Sequence, residues 1–119
     1  IIASAALDQN IDGIAVGGCV GLSRKTILNR GSTGYNDIPD MLKWFDFDAQ
    51  IALLSPRPCI IIAGINDHIW PYEGAKKTIK KSKKVYLHDK CKDKLILIKA
   101  NGGHTYYPEL MWPEISKFF

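Results

Sequence analysis

The run Cys59-Ile60-Ile61-Ile62-Ala63-Gly64-Ile65-Asn66-Asp67 is the place to start. Its first five residues are apolar at every position, not at every second one. A strand with one wet face alternates apolar and polar side chains. A strand apolar on both sides needs cover on both, as a central parallel strand has between two helical layers. Pro56 and Pro58 stand just upstream and disfavour helix at and before their own positions.

Outward from this strand the pattern alternates. Downstream, Tyr72 to Tyr86 predicts an amphipathic helix with Ala75, Ile79, Ser82 and Tyr86 as its inner stripe. Lys94 to Ala100 predicts a second strand, and Pro108 to Phe119 a closing helix that Pro113 kinks or restarts. Upstream, Pro39 to Leu54 reads as largely helical, with Met41, Leu42 and Phe45 on one face. Gly31 to Asn36 reads as loop, Ile11 to Val20 as a buried strand, and Ile1 to Leu7 as a helix ended by Asp8-Gln9-Asn10. Three strands joined by helical crossovers imply an α/β fold with a parallel sheet and right-handed connections.

The 119 residues suffice for one modest domain. Hydrophobic content of 46% and charged content of 24% are ordinary for a globular chain. No apolar run approaches the roughly 18 residues that span a bilayer. The opening Ile-Ile-Ala-Ser-Ala-Ala-Leu has no basic segment before it, so it reads as part of a helix that began earlier, not as a signal peptide. Cys19, Cys59 and Cys91 show no metal-type spacing, and an odd count argues against a closed disulfide framework. Cys19 and Cys59 read as buried thiols. The net charge of +4 comes from one segment, Lys76, Lys77, Lys80, Lys81, Lys83 and Lys84, without which the charge is negative. With no aromatic or arginine platform interleaved, these lysines read as a solvated helix face, not a nucleic-acid surface. Neither nucleic acid nor membrane is expected as a partner.

Open α/β sheets carry their reactive groups at the carboxyl ends of strands. Gly64-Ile65-Asn66-Asp67-His68 follows one strand and Asn101-Gly102-Gly103-His104 follows the next. Asp67 and His104 should therefore meet on one edge, where a carboxylate can accept the imidazole Nδ1–H, fix its tautomer and stabilise the imidazolium. The same residues also suit a turn or helix-cap aspartate and an ordinary glycine loop. His68 reads as loop lining, and His88 as part of a lysine-rich connection. A zinc site from His68, His88 and His104 lacks recognisable ligand spacing.

Several short motifs occur together in order: Trp44-Phe45-Asp46-Phe47, Ala52-Leu53-Leu54-Ser55-Pro56-Arg57-Pro58, Gly64-Ile65-Asn66-Asp67, Pro71-Tyr72-Glu73-Gly74-Ala75, Gly102-Gly103-His104 and Trp112-Pro113. From about Leu7 onward the chain resembles the C-terminal half of α/β-hydrolases of the acetyl xylan esterase and dienelactone hydrolase type. The resemblance implies that Asp67 is the acid and His104 the base of a Ser–His–Asp triad acting on carboxylic esters, with acetyl esters of sugars as the nearest class. It implies a chain that forms the C-terminal portion, residues 1–119, of a single larger hydrolase domain, from which it needs the N-terminal part. It implies no metal or other cofactor, and a small-molecule ester as substrate. Trp70 and Tyr106 would line the acyl or alcohol pocket, Trp44 would pack internally, and Ser-Pro-Arg-Pro would launch the strand that bears the acid.

The nucleophile of such enzymes sits in a Gly-x-Ser-x-Gly turn between a strand and a helix. Ser4 is flanked by Ile2 and Ala6, and Ser32 by Arg30 and Gly34. Ser23 has Gly21, but Lys25 stands where a small residue is needed. The expected nucleophile and both oxyanion-hole donors therefore lie outside the chain, with the serine shortly upstream of Ile1. A peptidase or thioesterase of the same fold, a non-catalytic interaction module, and a homologue whose serine has been replaced remain as alternatives.

Overall fold

A computed structural model describes residues 1–26 and 38–119 of the chain. The expected loop Gly31 to Asn36, and Ser32 with it, lie outside the described residues. The elements are α1 (Ile2–Leu7), β1 (Ile14–Gly17), α2 (Phe47–Ala52), β2 (Cys59–Gly64), α3 (Tyr72–His88), β3 (Leu95–Ala100) and α4 (Pro108–Ile115), with 3-10 turns at Ser23–Lys25, Met41–Lys43 and Lys92–Lys94. The strands form one parallel sheet in the order β1-β2-β3. Ile61 is paired with Val16 on one side and Leu97 on the other.

All six residues of β2 are buried. Their alternation distributes them between two layers. Cys59, Ile61 and Ala63 join Ile2 and Ala5 of α1, Phe47 and Ile51 of α2, and Ala75, Ile79 and Tyr86 of α3. Ile60 and Ile62 face the other way and pack with Ala100 and Met111 of α4. The result is the α/β arrangement expected, a parallel sheet flanked by helices. All four residues of the predicted α3 stripe are buried, and the six lysines occupy its exposed side.

Arg57 explains the Ser-Pro-Arg-Pro segment. Its guanidinium donates to the carbonyls of Asp8 at 2.9 Å, Ile11 at 2.8 Å and Leu54 at 3.3 Å. The hydroxyl of fully buried Tyr86 donates to the Arg57 carbonyl at 2.9 Å. The entry to β2 is thus tied to the chain before β1 and to α3.

Five expectations change. The strand foreseen over Ile11 to Val20 is only Ile14–Gly17, because Gly18 leaves the extended region with φ +58°. The helix foreseen over Pro39 to Leu54 is broken: Asp40 has φ +63°, and Asp46 is extended and caps α2, accepting the Phe47 N–H at 2.8 Å. That break leaves Trp44 83% exposed instead of packed inside. Cys19 is half-buried, whereas Cys59 is fully buried. The closing helix ends at Ile115, with Pro113 inside it.

Replacing Ile61 by Ala should lower unfolding free energy by about 2–5 kcal/mol. Leu87→Ala, at a site 54% exposed, should stay within about 0.5 kcal/mol of the parent. Urea unfolding of the two variants checks the contrast.

Candidate active site

The carboxyl ends of β2 and β3 are stitched together by their backbones. Ile65 N–H donates to Ala100 O at 3.0 Å, and Asn66 N–H to Gly102 O at 2.9 Å. Gly64 is required for this approach: a Cβ there would collide with the carbonyls of Gly102 and Gly103. The Tyr107 hydroxyl, from the start of α4, donates to Gly103 O at 2.7 Å. These contacts set the two loops side by side with fixed separation.

Across that seam His104 Nδ1 lies 2.9 Å from Asp67 Oδ2. An ionised carboxylate only accepts hydrogen bonds, so Nδ1 carries the proton in this pair and Nε2 is left as the acceptor of the neutral ring. The Asp67 side chain is 1% exposed, whereas that of His104 is 39% exposed. The acid is enclosed and the imidazole reaches solvent. The other Asp67 oxygen, Oδ1, accepts the N–H groups of Ile69 and Trp70, both at 2.8 Å. The turn role and the acid role weighed for Asp67 are therefore compatible: one oxygen shapes its own loop and the other meets the histidine.

The electrostatics follow from these partners. Burial alone would raise the Asp67 pKa. The Trp70 N–H, the His104 hydrogen bond and the Ile69 N–H, together with the imidazole charge, outweigh it and hold the carboxyl below its ordinary value. The pair can take a proton at Nε2 and retain a stabilised imidazolium, which is the work of a general base.

The other candidate side chains lie in different settings. Trp70 is 7% exposed and packs edge-on against Phe47 with ring centroids 5.5 Å apart. Tyr106 is 54% exposed, and His68 is exposed. Ser23 is 1% exposed; its Oγ donates to Asp46 Oδ1 at 2.6 Å and its N–H to Oδ2 at 3.1 Å. It is a buried tie between the β1 exit and the α2 cap. A second serine, carboxylate and histidine cluster joins Ser55, Asp89 and His88, with Ser55 Oγ on Asp89 Oδ2 at 2.6 Å and His88 Nδ1 on Asp89 Oδ1 at 2.9 Å. There the serine donates to the carboxylate, so the imidazole is not placed to accept its proton. Burial, reinforced by Cys19, pushes the Cys59 thiol up to about 12, so it stays protonated and packs as an apolar group. Among the described residues no group of three or more His, Cys, Asp or Glu is arranged to hold a metal ion, and no helix is long and apolar enough to cross a membrane.

Two contributors escaped sequence reasoning. Tyr107 anchors the histidine loop, and Gly18 lies against the His104 ring. For Gly18 a signal existed, since Gly17-Gly18 ends a strand just as Gly102-Gly103 follows one.

Comparison with known proteins finds a distant likeness. The chain is 26% identical over 105 residues to a Bacillus subtilis (strain 168) protein named "Putative hydrolase YtaP". The alignment takes in 85% of this chain and 35% of that protein, so the chain spans about a third of its relative's length. No family model matches the chain, and no solved structure matches it.

Because the folded pKa of Asp67 is lowered, its ionisation stabilises the fold at pH values above the ordinary carboxylate value of about 3.9. That contribution fades as pH falls from there through the lowered value. An Asp67→Asn variant should therefore lose less stability than the parent on acidification below about pH 4, measured by urea unfolding across a pH series.

Proposed function

We propose that the chain supplies the acid and base of a serine hydrolase acting on carboxylic esters, and that it forms the C-terminal portion of a larger domain. The observation that carries this reading is the 2.9 Å contact between His104 Nδ1 and Asp67 Oδ2, made at the carboxyl ends of adjacent parallel strands with the acid preceding the base. The name of the Bacillus subtilis relative, "Putative hydrolase YtaP", a protein about three times the matched length, supports the reading.

In this mechanism a serine from outside the 119-residue stretch attacks the ester carbonyl. His104 Nε2 takes its proton, then returns it to the leaving alcohol. In the second half-reaction the same nitrogen activates water against the acyl-enzyme. Asp67 holds the ring in the required tautomer and stabilises its charge throughout. Small acyl groups, including acetyl on sugars, are the substrates this reading favours, and Trp70 and Tyr106 are assigned to the rim of their pocket. The exposure of Tyr106 suits that role better than the buried position of Trp70.

The full-length protein should hydrolyse p-nitrophenyl acetate. His104→Ala and Asp67→Asn should each reduce kcat by about 10⁴–10⁶-fold, while Ser23→Ala should leave it near the parent value. A fluorophosphonate probe should label one serine upstream of Ile1. Full activity in the His104→Ala variant, or the absence of any labelled serine, would sink the proposal. The 119-residue stretch expressed alone should self-associate through the edge of β1 that no other described strand pairs; sedimentation as a monomer that unfolds cooperatively would argue for an independent domain.

A further inference from the structure

Gly18 directly follows β1, and its N–H donates to Ile62 O at 3.1 Å. That bond extends the ladder with β2 by one residue and fixes where Gly18 lies. Its φ of +58° is in the left-handed region. A Cβ at this position would stand 3.0 Å from His104 Cε1, 3.1 Å from His104 Nδ1 and 3.5 Å from Asp67 Oδ2. Carbon atoms in favourable contact are about 3.5–4.0 Å apart. All three strand ends thus converge on one point, with the glycine's bare α-carbon beneath the imidazole and its bond to the acid.

We propose that Gly18 is a positioning residue for His104: it is the missing side chain, and not the backbone freedom alone, that the site requires. The two roles of glycine are separable here. Asparagine tolerates left-handed backbone better than most residues, so it satisfies the turn. It nevertheless carries a Cβ, which meets the ring. Asp67 is enclosed and the backbone at Gly18 is held by its ladder bond, whereas the ring has solvent on its open side. The ring therefore yields, and the His104–Asp67 bond lengthens.

The inference rests on the hydrolase reading only in its kinetic arm. In full-length protein, Gly18→Asn should weaken or abolish the low-field proton resonance of His104 Nδ1. It should lower kcat for p-nitrophenyl acetate by about 100-fold, the scale of an ångström's misplacement of a catalytic group, with KM within about twofold of the parent. A thermal-unfolding cycle covers the case in which the variant folds poorly. Gly18→Asn should lower Tm clearly more in the parent than in a His104→Ala background, where the left-handed backbone is still strained but no ring is present to be struck. An unchanged resonance and kcat, or an equal Tm loss in both backgrounds, would overturn the inference and leave Gly18 as a turn residue. Loss of the resonance and a Tm loss larger in the parent, in a protein whose unmutated form hydrolyses no ester, would uphold Gly18's role while refuting the hydrolase reading.

Discussion

The burial of β2 on both faces and along both edges is the constraint from which the architecture follows. Six consecutive buried residues leave nowhere for unpaired backbone polar groups, whose burial without partners would cost free energy comparable to lost hydrogen bonds. Both edges must therefore be paired, which brings β1 and β3 to either side. Both faces must be covered, which calls α1, α2 and α3 to one side and α4 to the other. Parallel pairing then sends every strand's carboxyl end to the same rim. The meeting of residues from three separated stretches of sequence is a consequence of that burial, not an additional feature.

At the rim, the division of labour within Asp67 matters more than its mere presence. A carboxylate bonded only to histidine would be free to rotate with it. Here Oδ1 is occupied by two backbone N–H groups of its own loop, which fixes the plane of the carboxylate and leaves Oδ2 aimed across the seam. The same three hydrogen bonds, together with the imidazole charge, overcome the cost of enclosing the carboxylate. One set of contacts thus forms the turn, fixes the direction of the acid and keeps it ionised.

Much of this was legible in the sequence, for a physical reason. Continuous apolarity over Cys59–Gly64 and the stripe of α3 are consequences of deep burial, and burial is what periodicity reports. Asp67 and His104 were legible because strand ends are predictable and few residue types perform proton chemistry. The region from Pro39 to Phe47 was not. Its apolar residues fall near helical spacing, but Asp46 contributes its carboxylate both to the α2 cap and to Ser23, 23 residues away. That long-range competition ends the helical path and turns Trp44 outward. Lys25 was enough to set Ser23 aside as a nucleophile, but the serine's bond to a carboxylate 23 residues away was not legible. Tyr107 was hidden because its role depends on a hydroxyl reaching a carbonyl that only the folded seam supplies.

The Tyr107 hydroxyl on Gly103 has a thermodynamic meaning beyond geometry. A histidine on a free glycine-rich loop would sample many orientations, and a substrate would have to arrest that motion each time it bound. With Gly103 fastened to the first turn of α4 and Gly102 to Asn66, the loop's conformational entropy is surrendered once, during folding. In the proposed hydrolase the loss then falls on the stability of the protein instead of recurring with each ligand, so binding affinity is spared the cost of ordering the imidazole.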